Sequence, residues 1–186
     1  MKICTVNFTG QAPYSASRAH CAEKLPKETA DAYEERTWRE KAHIENGMVV
    51  IPPMAFKIGL DRAAKMLGRQ IPGKGKSTYT KFFESGVIVT EAVPIAPEEA
   101  IQLERIHANA DGVRGSGKRV WRNFPRIDSW GGNVQFHIIA DEITSDVFEE
   151  AVRYAGLAVG VGRFRPERGG YFGRFVVNGF EWEELQ

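Results

Sequence analysis

An α+β fold with a ferredoxin-like βαββαβ core is predicted by three observations. Short β-branched and aromatic runs occur at residues 3–8, 87–89, 134–139 and 174–177. Two amphipathic segments, MAFKIGLDRAAKML and DVFEEAVRYAGLA, fall between the first and second and between the third and fourth of these runs. The resulting order of strand, helix, strand, strand, helix, strand places both helices on one face of a single sheet.

The first strand holds Ile3, Cys4 or Thr5, Val6 and Phe8 and stops at Gly10. Residues 26–45 are charged, with Ala30, Tyr33, Thr37 and Trp38 at roughly helical spacing, and read as a surface helix. Met48-Val49-Val50-Ile51 is a short strand run that leads into Pro52-Pro53, and prolines there stop a strand and can start a helix. The first core helix carries Phe56, Leu60, Ala63, Ala64 and Leu67 on one face and closes at Gly68. A basic, glycine-rich loop, IPGKGKSTYTK, separates it from the second core strand at Val87-Ile88-Val89, which ends by Pro94. Residues 97–132 are expected to be irregular, with a short helix at 98–108 and then a glycine-punctuated basic stretch. A segment of that size with so little apolar content reads as a functional insertion, at about 96–132, in a single domain of residues 1–186. Val134, Phe136, Ile138 and Ile139 give the third core strand. Thr144 or Ser145 caps a helix whose buried face is Val147, Phe148, Ala151, Val152 and Ala155, and Arg174–Val177 is the last strand.

The 186 residues are 42% hydrophobic and 26% charged, ordinary for a soluble domain. With 25 Lys and Arg against 24 acids the net charge is +1, so only the distribution of charge is informative. Between residues 57 and 81 lie Lys57, Arg62, Lys65, Arg69, Lys74, Lys76 and Lys81, opposed only by Asp61. Residues 114–126 hold Arg114, Lys118, Arg119, Arg122 and Arg126 with no acid, interleaved with Trp121 and Phe124. Acids collect elsewhere, a segregation that suits a polyanion binder; the alternative is that each run is a solvated face. Cys4 and Cys21 are too few for a zinc ribbon and too far apart for a CxxC motif. No cofactor or metal site is implied, since Asp111 and Asp128 have no further ligand at a metal-binding spacing. The N-terminus lacks the apolar run of a signal peptide, and no stretch reaches membrane-span length, so a cytoplasmic location is expected.

The segment LAVGVGRFRPERGGYFGRFVV, residues 157–177, is the strongest candidate site. Gly160, Gly162, Gly169, Gly170 and Gly173 let backbone approach a ligand closely, while Arg163, Arg165, Arg168 and Arg174 suit phosphate oxygens. Phe164, Tyr171 and Phe172 offer ring faces for bases. These arginines lie beside flexible glycines, where charge is not expected to serve packing. The segment is no dinucleotide fingerprint, because its glycines follow a helix and open a strand, and no Walker lysine and hydroxyl follow them.

Two landmarks resemble the RAMP superfamily of CRISPR proteins. VVIPPMAFKIGLDRAAKML resembles that superfamily's Ile-Pro, Lys-Gly, Leu-Arg start of the first helix, and GVGRFRPERGGYFGRFVV looks like its glycine-rich loop before the last strand. Pro53-Met54-Ala55 departs from the glycine and serines usual there before the lysine, here Lys57. The sub-group most resembled is the guide-RNA backbone subunits, which implies an RNA-recognition-type core with a thumb-like insertion between the second and third core strands; a stand-alone or virus-encoded relative fits equally.

Three functions are compatible with these residues. The leading one is a non-catalytic protein that binds single-stranded nucleic acid, RNA favoured, and oligomerises head to tail along it or joins CRISPR-type subunits. Its contacts would be phosphate capture by the glycine-rich loop and basic runs, with stacking by Trp121, Phe164 or Tyr171. The second is a metal-independent endoribonuclease with His20 as general acid or base and Arg18 as charge stabiliser, a role the resemblance makes available. The third is an interaction protein or viral decoy that mimics a CRISPR subunit without binding RNA.

Overall fold

A computed structural model describes residues 1–109, 115 and 117–184. In chain order its elements are β1 (Lys2–Gly10), β2 (Tyr14–Ser15), α1 (Ala30–Thr37), β3 (Ile44–Glu45), β4 (Met48–Ile51), α2 (Pro53–Leu67), α3 (Thr80–Gly86), β5 (Val87–Ile88) and β6 (Val93–Pro97). These are followed by β7 (Gln102–Asn109), β8 (Arg119–Ile127), β9 (Gly131–Ile138), α4 (Ser145–Tyr154) and β10 (Phe175–Glu184).

The fold is mixed α and β, with three antiparallel sheets among the described residues. The largest has the order β10-β1-β9-β5, with β1 between its two long partners. Strand periodicity explains its two faces: Cys4, Val6 and Phe8 of β1 share one side with Val134, Phe136 and Ile138 of β9, and all are buried. Phe56 of α2 packs 5.4 Å from the Phe8 ring, and Phe148 of α4 packs 5.3 Å from Phe136, so both helices cover this side. The opposite side carries a polar row, in which Asn178 donates to Asn7 and Thr9, and Asn7 donates to Asn133. Burial pushes the Cys4 thiol up to about 12, so it is an inert core group.

α2 begins with Pro53 in its first turn and ends on Gly68 in the left-handed region (φ 56°). This is the expected arrangement, because proline costs no hydrogen bond at a helix start and glycine tolerates positive φ at its end.

Several elements differ from the sequence reading. Residues 102–108 of the helix expected at 98–108, together with Asn109, form β7. Residues 119–127, expected to be irregular, form β8, paired along its length from Gln102↔Arg126 to Asn109↔Arg119. Pairing across the hairpin and onto β2 overrides the helix-favouring Glu, Leu and Arg of the first arm. The run from Val87 divides into β5, which joins the large sheet, and β6, which pairs with β4. Helix α3 arises within what reads as a loop. Its last carbonyls, Phe83 and Glu84, accept from the Lys57 ammonium at 3.0 and 3.1 Å, a tertiary cap invisible in local sequence.

The segment between β1 and α2 is tied to β8 by a buried ionic cluster. Glu34 of α1 accepts from Lys41 at 2.6 Å, from Arg122 at 2.6 Å and from the backbone N–H of Asn123 at 3.1 Å, while Lys41 also donates to the Asn123 carbonyl. Burial alone would raise the Glu34 carboxyl, but these donors outweigh it and hold it below the ordinary glutamate value. Glu34→Gln is therefore expected to cost about 3 kcal/mol at neutral pH, because it leaves Lys41 buried and unpaired. With a lowered folded-state value, this stabilisation is present above about pH 4.3 and is lost as pH falls through the lowered value. Urea titrations of both proteins should show the gap closing on acidification; a gap independent of pH would refute the assignment.

Candidate functional site

The chain leaving β1 turns sharply at Gly10, whose N–H donates to the Trp130 carbonyl, and the Trp130 indole donates back to the Ala12 carbonyl at 2.7 Å. This fixes residues 11–15 as a shelf on which the glycine-rich loop is laid. Gln11 N–H donates to Arg174, Gly173 N–H to Pro13, and Arg163 N–H to Ser15, each at 2.8 Å. The loop follows a π-helical turn, Ala155–Val159, that extends α4.

The glycines here serve approach between parts of the chain itself. A side chain on Gly162 (φ 79°) would come within 2.5 Å of the Ser15 carbonyl, and one on Gly160 (φ 71°) within 2.7 Å of the Pro166 ring. Gly170 abuts the Phe164 carbonyl, and Gly173 abuts that of Val161. Gly169 closes a short 3-10 turn, Pro166–Arg168.

At the centre lies Arg163, which departs from the expectation that charge in this loop does not serve packing. Its side chain is 8% exposed, and Nη2 donates to Glu104 of β7 at 2.6 Å and to the Ser15 hydroxyl at 2.9 Å. The Ser15 hydroxyl in turn donates to the Pro125 carbonyl of β8. The guanidinium carbon sits 3.6 Å from the Phe124 ring centre and 4.2 Å from that of Phe164. Burial pushes this guanidinium down to about 10, with Glu104 opposing. One arginine thus joins loop, shelf and hairpin.

The other predicted cations divide into three groups. Several are engaged internally: Lys57 with Asp61 and the α3 carbonyls, Arg165 with Glu167 and the Gly162 carbonyl, Arg122 with Glu34, and Arg126 with Asp128 at 2.6 Å. Arg119 donates to the His107 carbonyl, and Lys74 approaches Glu142 at 3.8 Å. In contrast, Lys118, Arg168 and Arg174 are exposed and have no ion pair or side-chain hydrogen bond among the described residues, as do Lys76 and Lys81. Arg114, like Asp111, lies outside the described residues. Lys74, Lys76 and Lys81 belong to the α2–α3 connection, and no interaction among the described residues joins them to the glycine-rich loop.

Three large aromatics of the hairpin and the loop stand outward. Trp121 is 49% exposed, Phe164 45% and Tyr171 57%, whereas Phe172 is buried. Trp121 of β8 lies 5.1 Å from the His107 ring and 5.1 Å from the Arg105 guanidinium, both on β7. Arg105, His107, Glu104 and Ser15 are site-forming residues that the sequence reading did not assign. A period-two pattern marks the hairpin, since Asn123, Pro125 and Ile127 are buried in alternation.

His20 stacks on Tyr33 with ring centres 6.0 Å apart, its Nδ1 buried 3.6 Å from Glu40. Arg18 is exposed beside it in sequence, and its N–H donates to the Lys41 carbonyl. Among the described residues no group of three or more His, Cys, Asp or Glu could hold a metal ion, and no helix is long and apolar enough to cross a membrane.

No protein-family model matches the sequence, and no curated protein matches it. Solved structures do match in fold. A chain of the cryo-EM structure of the Type III-B Cmr-beta bound to cognate target RNA aligns over 97% of this chain and 60% of its own length, with 12% identity and a TM-score of 0.51. This protein therefore spans less than two thirds of that chain. The crystal structure of Cmr6 from Pyrococcus furiosus aligns over 95% of this chain and 99% of its own, with 14% identity and a TM-score of 0.49. A CRISPR RNA-guided surveillance complex aligns at 9% identity over 97% of this chain and 68% of its own, with a TM-score of 0.39. Similarity to CRISPR-complex subunits, expected from the two sequence landmarks, is thus met at the level of fold.

Valine at Gly160 or Gly162 should lower stability by about 2 kcal/mol or more, since it combines positive φ on a β-branched residue with a backbone or ring collision. Valine at Gly117, which meets nothing within 4 Å, should be nearly neutral. Thermal melts of the three variants compare them directly, and equal tolerance would remove the packing role of the loop glycines.

Proposed function

We propose that this protein is a non-catalytic, single-domain binder of single-stranded nucleic acid, with RNA favoured, that works as a RAMP-type subunit. The observation that carries this reading is the coincidence of exposed aromatics with cations lacking an internal partner. Lys118 and Trp121 lie on or beside the hairpin, and Arg168, Tyr171 and Arg174 lie on the loop bound to it. Cations that serve folding are paired here, as Arg122 and Arg163 are, so unpaired ones carried on the same hairpin and loop as exposed rings suit phosphates and bases that come from outside.

The strand order supports a ferredoxin-like core. Taking β1, β5, β9 and β10 as its strands and α2 and α4 as its helices, the sheet runs fourth, first, third, second, with every neighbour antiparallel. The β7–β8 hairpin falls between the second and third of these strands and is read as the thumb-like insertion, within a region of about 96–132. The structural neighbour bound to cognate target RNA favours RNA and CRISPR-type partners on grounds of shared fold alone. The stacking of His20 on Tyr33 supports a packing role for that histidine and a reading of binding over cleavage.

Replacing Lys118, Arg168 and Arg174 together by alanine should leave the melting temperature unchanged, because none has an internal side-chain partner. It should flatten the log–log salt dependence of binding to a single strand by about 2, at roughly 0.7 per lost phosphate contact. Trp121→Ala should weaken binding by ~1 kcal/mol or more. Unchanged affinity and slope would overturn the assignment, and no binding by the unaltered protein would favour the decoy reading.

Copies are further proposed to add head to tail along a strand, each hairpin reaching over ligand held by its neighbour. Mass photometry on oligonucleotides of increasing length should then find masses that grow with length; a constant stoichiometry of one copy would refute the assembly.

A further inference from the structure

We propose that the Arg163 guanidinium is a receptor for one unpaired nucleobase, and that the Phe164 ring is a stand-in that the base displaces. The inference rests on the nucleic-acid reading above and gives the glycine-rich loop a second kind of contact, to a base as well as to phosphate.

Three independent features support it. First, Arg163 is buried yet incompletely satisfied: Nε and Nη2 are taken by Ser15 and Glu104, while Nη1, also buried, has no hydrogen-bond partner. A buried guanidinium N–H without an acceptor is costly to leave unmade, so the site is short of one oxygen or ring nitrogen. Second, the group covering part of the guanidinium is suited to leave. Phe164 sits at φ 54°, a region that bulky L residues seldom adopt, and remains 45% exposed although its ring lies 4.2 Å from the Arg163 carbon. By contrast, Phe124, on the strand-borne side of the cluster, packs at 3.6 Å and is held in β8. Third, Glu104 already neutralises the guanidinium at 2.6 Å. An already paired arginine with one open N–H suits a neutral ligand with a flat face and an edge acceptor better than it suits another anion. A nucleobase supplies both: its face replaces the Phe164 ring against the guanidinium, and a carbonyl or ring nitrogen accepts from Nη1.

The decisive comparison uses an oligouridine RNA of about ten nucleotides and an abasic ribose-phosphate strand of equal length, each titrated by fluorescence anisotropy at fixed salt. The unaltered protein should prefer oligouridine. Phe164→Ala, which removes the stand-in, should tighten oligouridine binding by roughly five-fold and leave the abasic strand unchanged, the scale of one base-stacking contact. Arg163→Lys keeps a charge but loses the plane and Nη1, and should abolish the preference for bases; if that variant does not fold, Phe164→Ala alone decides. Weaker oligouridine binding by Phe164→Ala would make Phe164 itself the stacking platform and overturn the displacement. Equal binding of both strands by the unaltered protein would overturn base recognition here while leaving phosphate binding intact, and binding of neither would remove the nucleic-acid reading and this inference with it.

Discussion

The contact between Arg163 and the Ser15–Glu104 pair is the constraint on which the candidate site depends. A single guanidinium reaches the shelf after β1, the first arm of the hairpin and, through the Ser15 hydroxyl, the carbonyl of Pro125 in the second arm. Each of these segments lacks a large core of its own. The loop can lie close enough for the arginine to reach only because Gly162 passes directly over the Ser15 carbonyl. Geometry of the glycines and chemistry of the arginine are therefore one device, in which close backbone approach places a charge where its partners are buried.

This arrangement sorts the basic residues by role. A nearly neutral chain with clustered bases would present broad positive faces if all were free. Instead, Glu34, Glu104, Asp128 and Glu167 each meet a cation from the predicted set, and what remains outward is a sparse group beside exposed rings. Such a surface interacts with a polyanion through a few discrete contacts in addition to a diffuse field. The open face of the large sheet is of another character. Its Asn7, Asn133, Asn178 and Thr9 row is hydrogen-bonded to itself. The large exposed aromatics Trp121, Phe164 and Tyr171 belong instead to the hairpin and the glycine-rich loop.

Helices α2 and α4 and strands β1 and β9 were legible in the sequence because each carries its signal within a single period. Phe56, Leu60 and Ala63–Ala64 repeat at helical spacing, Pro53 and Gly68 mark the ends of α2, and Cys4, Val6 and Phe8 alternate as a strand with one buried face must. The glycine-rich loop was equally visible as a composition. Its glycines and arginines were found by residue type alone, and so were Trp121 and Tyr171 as exposed rings among bases.

What the sequence by itself determined was thus the set of chemical groups and the local elements that carry them, since periodicity, capping and turn chemistry act over a few residues. Only tertiary structure decided which of those groups remain available. Whether residues 102–109 are helix or strand depended on a partner strand beginning at Arg119. Whether Lys57 binds a ligand or caps α3 depended on carbonyls at Phe83 and Glu84, and whether Arg163 is loop charge or buried core depended on Glu104, 59 residues away in the chain. Ion pairing and desolvation are set by distances in space, and the same arginine is a free cation or a structural tie according to which carboxylate the fold brings to it.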